Sequence, residues 1–129
     1  MKRLMLSGVV AAVALFGGVA VTRAQDAVKV DAKHYKVAYE DDHVRVLKVH
    51  YGAGEKSVMH SHPDTVAVFV SDAKGKFNFP DGKSQDFNVK AGDVMHNPAT
   101  VHLPENTGDQ AWDVVVVELK GTKGAHAKK

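Results

Sequence analysis

The chain of 129 residues contains no cysteine. That excludes disulfides, thiolate metal ligands and a cysteine nucleophile, and it leaves histidine and carboxylates as the metal donors. Long helical patterns are also missing: after residue 24 no stretch of ten residues keeps a helical period. There are no solenoid-length repeats, no glycine-rich phosphate loop and no nucleophile elbow. Aromatic residues make up only 7% of the chain. Tyr51, Phe69, the Phe77-Phe79 pair, Phe87 and Trp112 are spread over separate segments, as core packing requires. A charge of one sign is lacking too, with 17 basic against 15 acidic side chains.

The one long apolar run is N-terminal. Lys2 and Arg3 precede an uncharged stretch from Leu4 to Val21, and Thr22-Arg23-Ala24 supplies a small-residue exit. This is the pattern of a secretory signal peptide over 1–24, cut between Ala24 and Gln25. The alternative is a single membrane anchor, for which the run is of borderline length. Cleavage would take three of the 17 basic residues and none of the 15 acidic ones, turning a formal charge of +2 into −1. No electrostatic basis for nucleic-acid binding then remains. The expected product is exported, periplasmic or secreted, with no membrane association after cleavage.

Beyond it, short β-type runs alternate with turn signals. Residues 25–34 read as a polar leader, 35–119 as one domain and 120–129 as a disordered tail. Strands are expected at 36–40, 43–51, 57–62, 65–71, 77–79, 87–90, 94–97 and 112–119. The 65–71 run is near-continuously apolar and reads as buried on both faces. Pro80-Asp81-Gly82 and Ala91-Gly92-Asp93 mark turns. Eight or so short strands in succession mean a sandwich or barrel.

Eight histidines stand in the sequence, and three carry the chemistry. His60 and His62 are one residue apart, so on a strand they point the same way. His102 follows Gly92, Pro98 and a short loop, and can return on a neighbouring strand to meet them. Three converging imidazoles make a site for a divalent transition metal. His96, on the Val94–His96 run, is a candidate fourth ligand, or else a rim histidine. Asp64 and Glu105 are candidates for orienting a ligand's other ring nitrogen, or solvated loop acids. His34, His43 and His50 read as surface or satisfied polar positions. Outside a barrel, the pair would be a solvent-facing strand pair and His102 a loop histidine.

Gly54-x5-His60-x-His62 and Gly92-x5-Pro98-x3-His102-x3-Asn106, with the exit Glu105-Asn106-Thr107-Gly108-Asp109, resemble the two motifs of the cupin superfamily over about residues 35 to 119. The resemblance implies an all-β fold, a single cupin jelly-roll barrel or double-stranded β-helix. It also implies one divalent metal (Fe, Mn, Zn, Ni or Cu) held by His60, His62 and His102. The sequence departs from the motifs in three places. The glutamate after the histidine pair falls near Val66 or Ala67. The closing glycine is displaced to Gly75, near Ala73. Motif two is one residue short before His102, with Thr100 at its inner glycine. The family likeness implies dioxygenase-like or isomerase-like action on a small oxygenated molecule. The competing reading is a non-catalytic module that binds a metal or small ligand. A homodimer is the partner arrangement the likeness suggests.

Overall fold

Residues 25–121 are described in a computed structural model of the chain. The segment read as a signal peptide, and all of the tail beyond Gly121, lie outside the described residues. Nine strands follow a four-residue helix. They are α1 (Ala27–Val30), β1 (Tyr35–Glu40), β2 (Val44–Tyr51), β3 (His60–His62), β4 (Thr65–Phe69), β5 (Ala73–Asn78), β6 (Ser84–Val89), β7 (Val94–Asn97), β8 (Thr100–Asn106) and β9 (Trp112–Leu119).

The strands form two sheets, five-stranded in the order β1-β2-β9-β4-β7 and four-stranded in the order β3-β8-β5-β6. All named pairings are antiparallel. Period-two alternation sends one face of each strand inward. Leu47, Val49 and Tyr51 of β2, Ala67 and Phe69 of β4, Phe87 of β6, and Trp112 and Val114 of β9 fill the space between the sheets.

The sheet that holds β4 is not buried on both sides. Val66 pairs with Val117 and His96, and Val117 pairs with Val46. These residues lie on the outer face, where Val70 and Val94 are 60% and 62% exposed. The near-continuous apolar run therefore reflects an apolar outer face, not a second core layer.

Residues 25–34 are built into the fold. Asp26 caps α1 by accepting from Val28 N at 3.3 Å, and Ala27 is wholly buried in the core. The segment's polarity masked this, because its acids bind groups of the barrel. At the other end, Lys120 N donates to His43 O at 2.9 Å. Gly92 turns the chain from β6 into β7 with φ +91°, a conformation open to glycine at little cost.

Candidate metal centre

β3 is short, yet it fixes the centre. Its register sets His60 opposite His102 and His62 opposite Thr100 on β8. The missing residue of motif two does not displace the third histidine, because the ladder between β3 and β8 sets the pairing. The rings of His60, His62 and His102 lie 4.8, 5.0 and 5.3 Å apart between centroids, at 86°, 90° and 80° to one another. One ring nitrogen from each falls within 4.8 Å of the others, the only such cluster of three or more donor residues among the described residues.

Each ring is held from outside the cluster. His60 Nδ1 donates to Val58 O at 2.8 Å, with Ser57 Oγ at 3.1 Å. His62 Nδ1 donates to Glu118 Oε1 at 2.7 Å. His102 stacks on Phe77, 4.9 Å between centroids at 13°, and Tyr35 stands edge-on to His60 at 4.9 Å. Protonation at Nδ1 leaves Nε2 of His60 and His62 with a free lone pair. Nε2 of His60 and of His102 are buried with no hydrogen-bond partner. Buried polar atoms rarely go unpaired; His34 Nε2 and Trp112 Nε1 are unpaired as well, but they stand singly, whereas the His60 and His102 atoms belong to one donor cluster.

Burial, reinforced by neighbouring His62, holds the His60 pKa down to about 4. Burial, followed by repulsion from His60 and His62, takes His102 down to about 3. Both rings are therefore neutral at physiological pH, the form that ligates metal. Burial pushes Glu118 upward, but hydrogen bonds from His62 and Arg45 outweigh it and leave the carboxyl below its ordinary value. Three imidazoles, each held from outside the cluster, fit a divalent transition ion.

The other candidates sit elsewhere. His96 is exposed and is not part of the cluster; its neighbours Met95 and Asn97 line the barrel mouth instead. Alternation decides this, since β7 turns 95 and 97 inward. Asp64 accepts from Ala99 N at 2.8 Å and Glu105 lies near Asn78 and Lys76, so neither holds a ligand. Glu118 takes that role. Its signal was present in the sequence: Trp112, Val114, Val116 and Glu118 share one phase of β9, so an acid there points into the barrel. His34 is buried rather than exposed, bonded to Asp31 at 2.8 Å and stacked on Tyr51. Asp31 also accepts from Ser57 Oγ. Asn106, fully buried, donates to Tyr51 O, Gly52 O and Gln110 O and accepts from Gly108 N. It locks the chain after β8 and takes no part in ligation.

Below the triad runs an apolar cavity of about 50 Å³, walled by His62, His102, Thr65, Ala67, Phe77 and Val116 among others. A wider hollow of about 210 Å³ at the mouth shares His102, Phe77 and Asn97 with it. Ala67, not Val66, faces the cavity, so Ala67 stands where the motif glutamate would enter. No carboxylate lines either space among the described residues.

Several solved structures with this architecture are cupins. A cupin domain from Bordetella pertussis superposes with TM-score 0.62 at 22% identity, covering 67% of this chain and 92% of that one. The chain has the cupin fold. A double-stranded β-helix protein of Klebsiella pneumoniae matches with TM-score 0.55 at 24% identity, over 68% of this chain and 76% of that one. An RmlC-like cupin from Methanocaldococcus jannaschii matches with TM-score 0.53 at 19% identity, over 69% and 83%. No protein-family model and no curated protein matches the sequence.

Proposed function

We propose that this chain is an exported small cupin that binds one divalent transition metal through His60, His62 and His102 and acts, dioxygenase-like, on a small oxygenated molecule. The observation that carries the reading is the pair of buried, unpartnered Nε2 atoms on His60 and His102, within a cluster whose ring orientations are fixed from behind. When bound, such an ion supplies Lewis acidity toward an oxygen donor of the substrate. The chain's own residues keep His60 and His102 neutral by burial, exclude water with Tyr35, Phe77 and Val116, and admit a ligand past Asn97 and Met95 at the mouth. Fe, Mn, Zn, Ni and Cu all suit three imidazoles, and availability selects among them.

A second reading, a non-catalytic metal- or ligand-binding module, has its own support. Ala67 replaces the motif carboxylate, and the lining offers no carboxylate as proton acceptor. Elemental analysis of protein purified from its natural compartment tests metal binding. Oxygen consumption across phenolic, diketone and thiol substrates separates the two readings. Stoichiometric metal with turnover supports the enzyme, stoichiometric metal without turnover the module. Metal-free protein that takes up none of the five ions overturns the enzyme reading and the metal-binding form of the module.

A further inference from the structure

The segment read as a leader reaches the triad. Ser61, between the two histidines of β3, donates its backbone N–H to Gln25 O at 2.9 Å, and Asp26 forms a parallel bridge with Ser61. That contact sets the Asp26 carboxylate against Arg45 of β2. Its two oxygens accept from both terminal nitrogens of the guanidinium, at 2.9 and 2.6 Å. The N–H on Nε donates to Glu118 Oε2 at 2.6 Å. Glu118 Oε1 in turn accepts from His62 Nδ1 at 2.7 Å. Four side chains from four parts of the chain thus form one line of charge-assisted bonds that ends on a candidate ligand.

The geometry restricts each member. A planar guanidinium forked onto one carboxylate presents its third edge in one direction only. Glu118, 3% exposed, has each oxygen engaged by a different donor and cannot rotate away from His62 without leaving a buried charge unpaired. An imidazole carries its proton on either nitrogen, and only the Nδ1–H form leaves Nε2 open for a metal. A carboxylate on Nδ1–H selects that form and strengthens the ligand.

We infer that Asp26, acting through Arg45 and Glu118, is a positioning residue that locks His62 in the Nδ1–H tautomer and so sets how tightly the triad holds a metal. The inference rests on the metal-binding reading of the triad and on no assumption about activity. Desolvation of such buried ion pairs offsets much of their attraction, so the line of bonds is explained better by positioning than by stability.

The test uses the full chain with cobalt(II) alone as the probe, followed by its visible absorption, and reads the His62 tautomer in metal-free protein by long-range ¹H–¹⁵N correlation. Wild type is expected to show Nδ1–H. Glu118→Gln is expected to weaken cobalt binding by about 10–100-fold, with a shifted cobalt spectrum. Asp26→Asn, nearly isosteric and outside the cluster, is expected to weaken it by a smaller factor of about three to ten and to let the Nε2–H form appear. Asp64→Asn, at an exposed acid that accepts from Ala99 N, should change neither readout. An unchanged tautomer and unchanged cobalt affinity in Asp26→Asn would overturn the inference, even if that variant melts earlier and Glu118→Gln loses cobalt. Wild type that binds no cobalt at all, yet shows a tautomer that depends on Asp26, would leave the lock standing and overturn the metal reading beneath it.

Discussion

At the scale of single residues, the centre makes two sharp predictions. Replacing His60, His62 or His102 by Ala should each reduce metal occupancy to well below half of the parent's, since two imidazoles hold an ion poorly, while the chain still folds; elemental analysis of the three variants checks this. The second concerns the absent glutamate. Ala67 lines the cavity at 7% exposure, whereas Val66 points to the outer face. Ala67→Glu should therefore place a carboxylate beside the triad. Without metal it is a buried charge costing several kcal/mol, on the order of 3, and with metal it should gain a partner. Melting with and without metal should show a metal-dependent recovery for Ala67→Glu and none for Val66→Glu. Equal behaviour of the two variants would show that the cavity-facing assignment of β4 is wrong.

Among the elements, β5 shows why one glycine of the first motif can move. A Cβ on Gly75 would lie 2.5 Å from Glu105 O of β8 and 2.5 Å from the Phe87 ring of β6. Gly75 thus allows β5 to pack between its two neighbours, and the displaced motif glycine serves this contact. Gly75→Ala should destabilise the chain by about 1–3 kcal/mol through overpacking, measured as a lower urea midpoint. Because β8 carries His102, metal affinity is expected to fall with it. A midpoint equal to wild type would mean that β5 and β8 separate without cost.

For the molecule as a whole, the buried histidines tie stability to pH. Unfolded, His60 and His102 have pKa values near ~6.5; folded, they are depressed to about 4 and about 3. Below ~6.5 the unfolded chain takes up protons that the folded chain refuses, so the unfolded state gains as pH falls. The metal-free protein should lose stability progressively from pH ~6.5 down to about 4, on the order of 3 kcal/mol per ring at ~1.4 kcal/mol per pKa unit. Urea unfolding at pH 7 and 4.5 measures it, and equal midpoints would refute the buried-neutral assignment. Export belongs to the same scale. Intact mass of the exported protein should place the first residue at Gln25, and a chain retained in membrane from Met1 would refute cleavage. Cutting there leaves Gln25 and its bond to Ser61 in place.

What the residues alone determined was the periodic part of the molecule. Alternation and turn signals located eight of the nine strands; β8, where Leu103-Pro104 interrupts the pattern, reads as a loop in the sequence and is a strand only through its ladders with β3 and β5. Period two put His60 and His62 on one face, a local property of a strand, and the likeness of Gly54, His60, His62, Gly92, Pro98, His102 and Asn106 to the cupin motifs added His102. Facing direction is not local. Whether Val66 or Ala67 looks inward depends on the register of β4 against β9, and His96 turns outward for the same reason on β7. Glu118 lies 56 positions from His62, and Asp26 meets Arg45 across 19, distances over which no pattern in the chain links one side chain to another. Only closing the two sheets brought those charges to the back of the triad, where a buried carboxylate requires a partner and finds it on residues that had read as a leader and the end of an apolar strand.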